Sequence, residues 1–145
     1  MTKLRKFEPL DLPEVVKIAK ISFPKNRIYS KSFEKYYQSY SDGFIVSEEM
    51  GEVTGFTVGQ LKNQIGEIIS LAVKPNFRQK GVGAELVKFL SNHFKVVGLK
   101  ELLLYVRTDN QIAVSFFQTL DFRILKTAKN YYQKRNDAFL MGKTI

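Results

Sequence analysis

The chain has no cysteine and only one histidine, His93, among its 145 residues. Disulfides, thiol nucleophiles and cysteine-ligated zinc are therefore excluded, and a lone imidazole leaves few ways to build a metal centre. No apolar run approaches the roughly 20 residues that span a bilayer. Residues 1–6, Met-Thr-Lys-Leu-Arg-Lys, lack the apolar core of a signal peptide. No membrane contact and a cytoplasmic location are the expectation. Acidic residues are scarce, 14 against 23 Lys and Arg, for a net charge of +9. The basic residues are nevertheless spread along the chain without a block of like charge, and the aromatics form no RNA-stacking motif. A solvated basic surface that attracts an anionic cofactor is favoured over nucleic-acid binding. Repeats and low-complexity segments are missing too. What is there, 44% hydrophobic and 26% charged residues, reads as one globular domain over 1–145.

The chain is organised around residues 67–97. Residues 67–73, Glu-Ile-Ile-Ser-Leu-Ala-Val, form an apolar, β-branched run of strand length that Lys74-Pro75-Asn76 stops. After Arg78-Gln79-Lys80-Gly81-Val82-Gly83-Ala84, residues Leu86, Phe89, Leu90, Phe94 and Val97 recur at helical spacing up to a stop at Gly98. Glycine thus sits where strand turns into helix. The first N–H groups of a helix have no internal partners and carry the positive end of its dipole, and residues without Cβ let an anion come close to the backbone. With Arg78 and Lys80 beside it, this junction points to a bound phosphate. It is not a P-loop, since Lys-Ser/Thr does not follow Gly83, nor a dinucleotide fingerprint, since Leu86 stands where its last Gly or Ala belongs. The pattern that remains is Arg-x-x-Gly-x-Gly. An ordinary glycine turn would share it, but the flanking strand and amphipathic helix favour the phosphate site.

Residues 3–7 read as a first strand, and Asp11 as the cap of a helix with Pro13 and Glu14 in its first turn and Leu12, Val15, Val16, Ile18, Ala19 and Phe23 on its apolar face. A second helix over about 32–40 groups Phe33, Tyr36 and Tyr37, read as core or groove lining. Two strands, 43–47 and 53–62, form a hairpin ahead of the organising strand. Beyond it come a strand at 102–106, a helix at 110–120 with Ile112, Phe116, Phe117 and Leu120 on its inner side, and strands at 122–129 and 138–143 joined by a polar segment, 131–137. The order β-α-α-β-β-β-α-β-α-β-β predicts a mixed α/β sheet of seven strands with helices on both faces.

The loop carrying Arg78, Gly81 and Gly83 resembles the pyrophosphate loop of the GNAT superfamily of acetyl-CoA dependent N-acetyltransferases. Residues 103–110, Leu-Leu-Tyr-Val-Arg-Thr-Asp-Asn, and 113–122, Ala-Val-Ser-Phe-Phe-Gln-Thr-Leu-Asp-Phe, resemble a strand and helix of the Rim-type protein N-terminal (ribosomal protein alanine) acetyltransferases. So do Asn130-Tyr131-Tyr132 and residues 136–141. The likeness covers 67–145 well and 1–66 in layout. It implies the GNAT fold, mostly antiparallel, and transfer of acetyl from acetyl-CoA, without a metal, to a primary amine. The N-terminal α-amine of a protein or peptide is the first choice. Small amines or polyamines, or a coenzyme-binding regulatory or ribosome-associated role with little turnover, are the alternatives; oligomeric state is not read.

The resemblance also implies roles. It places Leu71, Ala72 and Val73 along the pantetheine arm, Arg78, Gln79, Lys80, Gly81, Val82, Gly83 and Ala84 around the pyrophosphate, and Asn110 on the arm, where a plain helix cap is the other reading. Phe23, Tyr29, Tyr131 and Tyr132 would wall the acceptor entrance. Glu67 is the first candidate for the base. Counted by period two it shares a face with Ile69, Leu71 and Val73, where part-burial raises a carboxylate pKa; an exposed carboxylate at a strand mouth is the other reading. Tyr105, at a position where Rim-type enzymes carry Glu, is the second candidate, a weaker base that shapes the acceptor site or holds a water. Phe117 stands where most members place a Tyr near the coenzyme sulfur and cannot protonate a thiolate, so Tyr105 or water takes that role. His93, outside every motif, is structural.

Overall fold

The computed structural model of the protein describes residues 2–24, 29–133 and 136–145, with Tyr29 and Gln133 described by their backbone alone. Its elements are β1 (Lys3–Lys6), α1 (Leu12–Ser22), α2 (Tyr29–Ser39), β2 (Phe44–Glu49), β3 (Glu52–Lys62), β4 (Ile65–Val73), α3 (Val82–Val96), β5 (Glu101–Arg107), α4 (Gln111–Thr119), β6 (Arg123–Gln133) and β7 (Asn136–Thr144), in the order read from the sequence. The strands make one seven-stranded sheet, β1-β2-β3-β4-β5-β7-β6. Every neighbouring pair is antiparallel except β4 and β5, which α3 joins by a crossover. No helix among the described residues is long and apolar enough to cross a membrane.

Each helix buries one stripe, and together they cover both faces. Val15, Ile18 and Ala19 of α1 and Phe33 of α2 pack with Phe44, Val46, Phe56, Val58 and Ala72 on one side. On the other, α3 supplies Val87, Leu90 and Phe94, and α4 supplies Val114 and Phe117, against Ile68, Leu102, Leu104, Val106 and Met141. Val82 and Leu86 of α3 extend this side over Ile45. A row of glycines lets α3 lie close. A Cβ on Gly59 would meet Leu90 Cδ1 at 2.8 Å, and one on Gly66 would meet Phe94 Cδ2 at 2.9 Å.

The faces of β4 depart from the period-two count. Val58 pairs with Ser70 but Gly59 pairs with Ile68, leaving Ile69 as an unpaired extra residue, a β-bulge. The bulge reverses the alternation. Ile68, Leu71 and Val73 belong to the α3 side, whereas Glu67, opposite Gln60, shares a face with Val58, Phe56 and Ala72. The expectation that Glu67 lies with Ile69, Leu71 and Val73 is therefore corrected: it faces the α1 and α2 side. Nor does it open the strand, which begins at Ile65.

Other expectations shift for local reasons. Asp11 makes no side-chain cap for α1; its carboxylate takes both guanidinium N–H groups of Arg5 at 2.8 and 2.9 Å and the Glu8 N–H at 2.8 Å, bonds to a charged partner being the stronger. Ile112, expected on the inner side of α4, is 86% exposed; the stripe that α4 turns inward is Ala113, Val114, Phe116 and Phe117 instead. Within the expected 131–137 connection, residues 131–133 and 136–137 are strand instead, since β6 runs on to Gln133 and β7 starts at Asn136; 134 and 135 lie outside the described residues.

Gly66→Ala should lower stability by about 1–3 kcal/mol, because the added Cβ presses on the rigid, fully buried Phe94 ring. Urea denaturation measures this, and an unchanged midpoint would mean that α3 does not lie on the β3–β4 glycines.

Candidate active site

The site is set by where β4 and β5 stop pairing. Their ladder consists of Gly66 with Leu102, Glu67 with Leu103 and Ile68 with Leu104, and goes no further. Beyond it, residues 70–73 of β4 remain bonded to β3 alone, while 105–107 of β5 remain bonded to β7. The strands part, and the β5-side edge of Leu71, Ala72 and Val73 borders the opening. Glu67 sits one residue before the parting.

At the far end of β4 the chain turns into α3. Gly81 caps the helix at φ 85°, a left-handed conformation that costs residues with a Cβ, and nothing lies within 4 Å of where its Cβ would be. The first bond of the helix, Glu85 N–H to Gly81 O at 3.0 Å, leaves the N–H groups of Val82, Gly83 and Ala84 ahead of it without an intrahelical acceptor. Gln79 also has positive φ, 61°. Arg78 donates through Nε to Val73 O at 2.8 Å and through Nη2 to Ser22 Oγ at 3.2 Å, tying the loop to the end of β4 and to α1. Lys80 Nζ lies 5.6 Å from the Phe77 ring centroid. Helix dipole, free amides and two cations thus meet at one spot, a chemistry suited to phosphate.

α4 closes the other side of the opening. Asn110 is its N-cap, accepting the Ala113 N–H at 3.1 Å, so the cap reading of Asn110 holds, and its amide NH₂ is not used in that bond. Phe117 is 8% exposed and packs edge-on against Phe116 and Phe122 at 5.1 and 5.5 Å. The ring nearest the loop is that of Phe116, whose Cζ stands 3.3 Å from a Cβ built on Gly83.

On the α1 and α2 face the Glu67 carboxylate acts on the phenols of Tyr36 and Tyr131. Burial raises the pKa of Glu67, with Lys62 opposing. The Tyr105 and Tyr131 rings stack at 4.1 Å and 12°, and Tyr132 sits edge-on to Tyr131 at 4.9 Å. Tyr131 and Tyr132 are carried by a wide bulge. Ala128 pairs with Ala138 and Gln133 with Asn136, so residues 129–132 stand opposite Asp137 alone. The Asp137 carboxylate accepts the Asn130 N–H at 2.9 Å and holds the bulge. Burial, then the charge of Glu67, then Tyr105 and Tyr36 raise the Tyr131 phenol; burial and Tyr131 push Tyr132 up to about 12, against Arg107. These hydroxyls stay protonated at neutral pH and act as donors.

Tyr36, read only as lining, belongs to this group. Burial and then Glu67 raise its pKa, and its carbonyl takes a long 3.5 Å contact from the amide of Gln60, the strand partner of Glu67. The Ser22 contact to Arg78 was not foreseen either. No local pattern marks such residues, because their partners are distant in sequence. Phe23, C-terminal to α1, is partly buried against the α1–α2 core. The Tyr29 side chain and residues 25–28, expected to wall the entrance opposite Tyr131, lie outside the described residues. His93, on α3, bonds Tyr40 Oη at 2.6 Å, away from this group.

The chain is 34% identical over 141 residues to an N-acetyltransferase of Methanocaldococcus jannaschii, covering 97% of this chain and 90% of that one. It is 31% identical to an N-alpha-acetyltransferase of Sulfolobus acidocaldarius, over 91% of this chain and 86% of that one. The crystal structure of Ard1 from Thermoplasma volcanium superposes with a TM-score of 0.93 at 28% identity, covering 99% of this chain and 97% of the other. The model of the Acetyltransferase (GNAT) family matches residues 12–122, and with the phosphate-suited loop between β4 and α3 and the parted β4 and β5, the chain belongs to that family.

Proposed function

We propose that this N-acetyltransferase moves acetyl from acetyl-CoA to the α-amine of a polypeptide N-terminus. The observation that carries the reading is the position of Glu67, half-buried one residue before β4 leaves β5, with the opening on one side and the tyrosines on the other. The relatives named N-alpha-acetyltransferase support it. The pyrophosphate rests on the N–H groups of Val82, Gly83 and Ala84 with Lys80 nearby, and Arg78 holds the loop shape. Gln79, Gly81 and the backbone of Leu71, Ala72 and Val73 line the path toward the thioester, with Asn110 and Phe116 across from them. Phe117 shapes this wall from the core.

The amine nitrogen attacks the thioester carbonyl carbon; a C–N bond forms, the C–S bond breaks and its electron pair leaves on sulfur. The amine proton passes to Glu67, directly or through a water. Burial makes this carboxylate a better base than an exposed one. Tyr105 holds the water rather than acting as base, and the thiolate takes its proton from solvent, since Phe117 has none to give. An α-amine has a pKa of about 7.7–8.0 against about 10.4 for lysine, so a single carboxylate suffices for it near neutral pH. The protonated Tyr131 and Tyr132 donate hydrogen bonds to the first peptide carbonyls, and Phe23 borders the entrance.

Glu67→Gln should lower turnover about 10²-fold with little change in coenzyme affinity, and the loss should shrink as pH rises and the acceptor deprotonates itself. Stability should move the other way. The folded-state pKa of Glu67 is raised above 4.5, so ionising it costs stability: the wild type loses ground to the Gln variant as pH climbs through that range, and the variant is the more stable above it. Turnover unaltered at every pH would transfer the role to Tyr105 or solvent.

Gly81→Val forces a β-branched residue into the left-handed region and puts methyls where the phosphate approaches, so coenzyme affinity should fall at least about tenfold in a folded variant. Calorimetry giving the wild-type affinity would place the pyrophosphate elsewhere.

For the acceptor, three substrates compete: a peptide with a free N-terminus, the same peptide N-terminally blocked with an internal lysine, and polyamines. Mass spectrometry should find the free N-terminus acetylated first. Preference for lysine or polyamines would overturn the α-amine, and coenzyme binding without any product would make the protein a regulator.

A further inference from the structure

The sheet is covered unequally on the Glu67 face. The core beneath α1 and α2 draws on β2, β3 and β4 and takes no residue from β5, β6 or β7 among the described residues. The register continues this face across the uncovered strands: Leu103 and Tyr105 on β5 lie beside Gly142 and Leu140 on β7, which lie beside Arg123 and Lys126 on β6. Leu125, the extra residue of a bulge between Ile124 and Lys126, leans onto it. A Cβ on Gly142 would meet Leu103 Cδ2 at 2.6 Å and Leu125 Cδ1 at 2.9 Å. Leu125 is 56% exposed, and Ile65, on the Glu67 face of β4, is 38% exposed; Leu103 and Leu140 are half-buried. An apolar strip therefore descends from the Tyr105–Tyr131 stack outside the α1 and α2 core among the described residues, Leu103 lying about 7 Å along the strand from Tyr105.

We infer that this strip binds the residues of the polypeptide acceptor that follow its N-terminus, with a preference for apolar and acidic side chains; the inference rests on the α-amine reading above. Two observations select this occupant. The strip is continuous with the site, sharing β5 with Tyr105 and β6 with Tyr131, so a chain whose first residue lies at Glu67 has its next residues beside Leu103 and Leu140. Its rim is cationic: Lys62 on β3 and Arg123 and Lys126 on β6 flank it, while Glu101, at its far end, is the one carboxylate besides Glu67 that β4, β5, β7 and β6 place there among the described residues. An acidic segment complements that rim. A second copy of this chain would bring the same cations against it, and a small amine would leave the strip in water.

The test uses free-N-terminus peptides sharing their first three residues: a tripeptide, a decapeptide continued by alternating leucine and glutamate, and one continued by glycine and lysine. The leucine–glutamate decapeptide should show a KM about tenfold below that of the tripeptide, and the glycine–lysine one no gain. Leu125→Asp, at an exposed position, should abolish the gain, and Lys126→Glu should reduce it, with circular dichroism confirming the fold of both. Equal KM for short and long peptides, or a gain that survives both substitutions, would overturn the inference alone. A wild type that sediments as a dimer and is split by Leu125→Asp would assign the strip to a second copy instead. Acetylation of lysine or polyamines ahead of every free N-terminus would remove the α-amine reading, and this inference with it.

Discussion

The parting of β4 from β5 is the constraint on which the rest of the structure depends. A parallel pair this central normally bonds along its length, and each unpaired amide in a buried sheet costs about 1–3 kcal/mol unless something else satisfies it. Here the ladder stops after Ile68 and Leu104, just before the bulge at Ile69 bends β4 and increases its twist. The freed edge is offered to a ligand instead of a strand. The same bulge turns Glu67 to the face opposite Leu71 and Val73, so the groups along the edge and the carboxylate that would receive a proton lie on the two sides of one opening. Coenzyme and acceptor can then enter from different faces and meet at the gap.

What was legible in the sequence was what is local. Strand 67–73, the glycine loop and the helix that follows all announce themselves within a few residues, because apolar periodicity and φ-positive glycine are properties of neighbours. The element order followed from the same patterns, and from it a mixed sheet with helices on both faces; the strand order did not. The bulge was invisible because nothing in Ile68-Ile69-Ser70 marks which residue goes unpaired; that is fixed by the register with β3, a strand earlier in the chain. The wide bulge under Tyr131 and Tyr132 was hidden similarly, being held by an aspartate on the next strand. Asp11 looked like a cap until a guanidinium six residues upstream claimed it. In each case a partner from another element overrode a local preference.

The surroundings of the ring at 117 account for the departure there. In this chain the ring at 117 is a core residue, edge-on to Phe116 and Phe122, and a hydroxyl there would need a partner inside an apolar cluster. The phenols of Tyr36 and Tyr131 lie on the other face, where burial and then Glu67 raise them. On the reading proposed above, the acceptor side holds most of the hydroxyl donors, and the thioester side has the backbone of β4 and the Asn110 amide. Such a division favours neutral amine attack over acid assistance to the leaving group, and a thiolate of pKa near 8.5 tolerates that arrangement.

An uncovered apolar strip is a hazard as well as a surface, and the chain limits the hazard by charge. β6 is an edge strand of the sheet, and its exposed Ile124 and Leu125 would make it a template for another chain. Its sequence answers with Arg123, Lys126 and Lys129 and no carboxylate. β1, the opposite edge, carries Lys3, Arg5 and Lys6. On β1 these cations are paired, Lys3 and Arg5 with Glu48, Arg5 with Asp11 and Lys6 with Asp42, so it is at β6 that like charge discourages one copy's edge from pairing with another's. The basic residues of β6 thus stand where an uncovered apolar face beside an open edge would otherwise favour pairing of two copies.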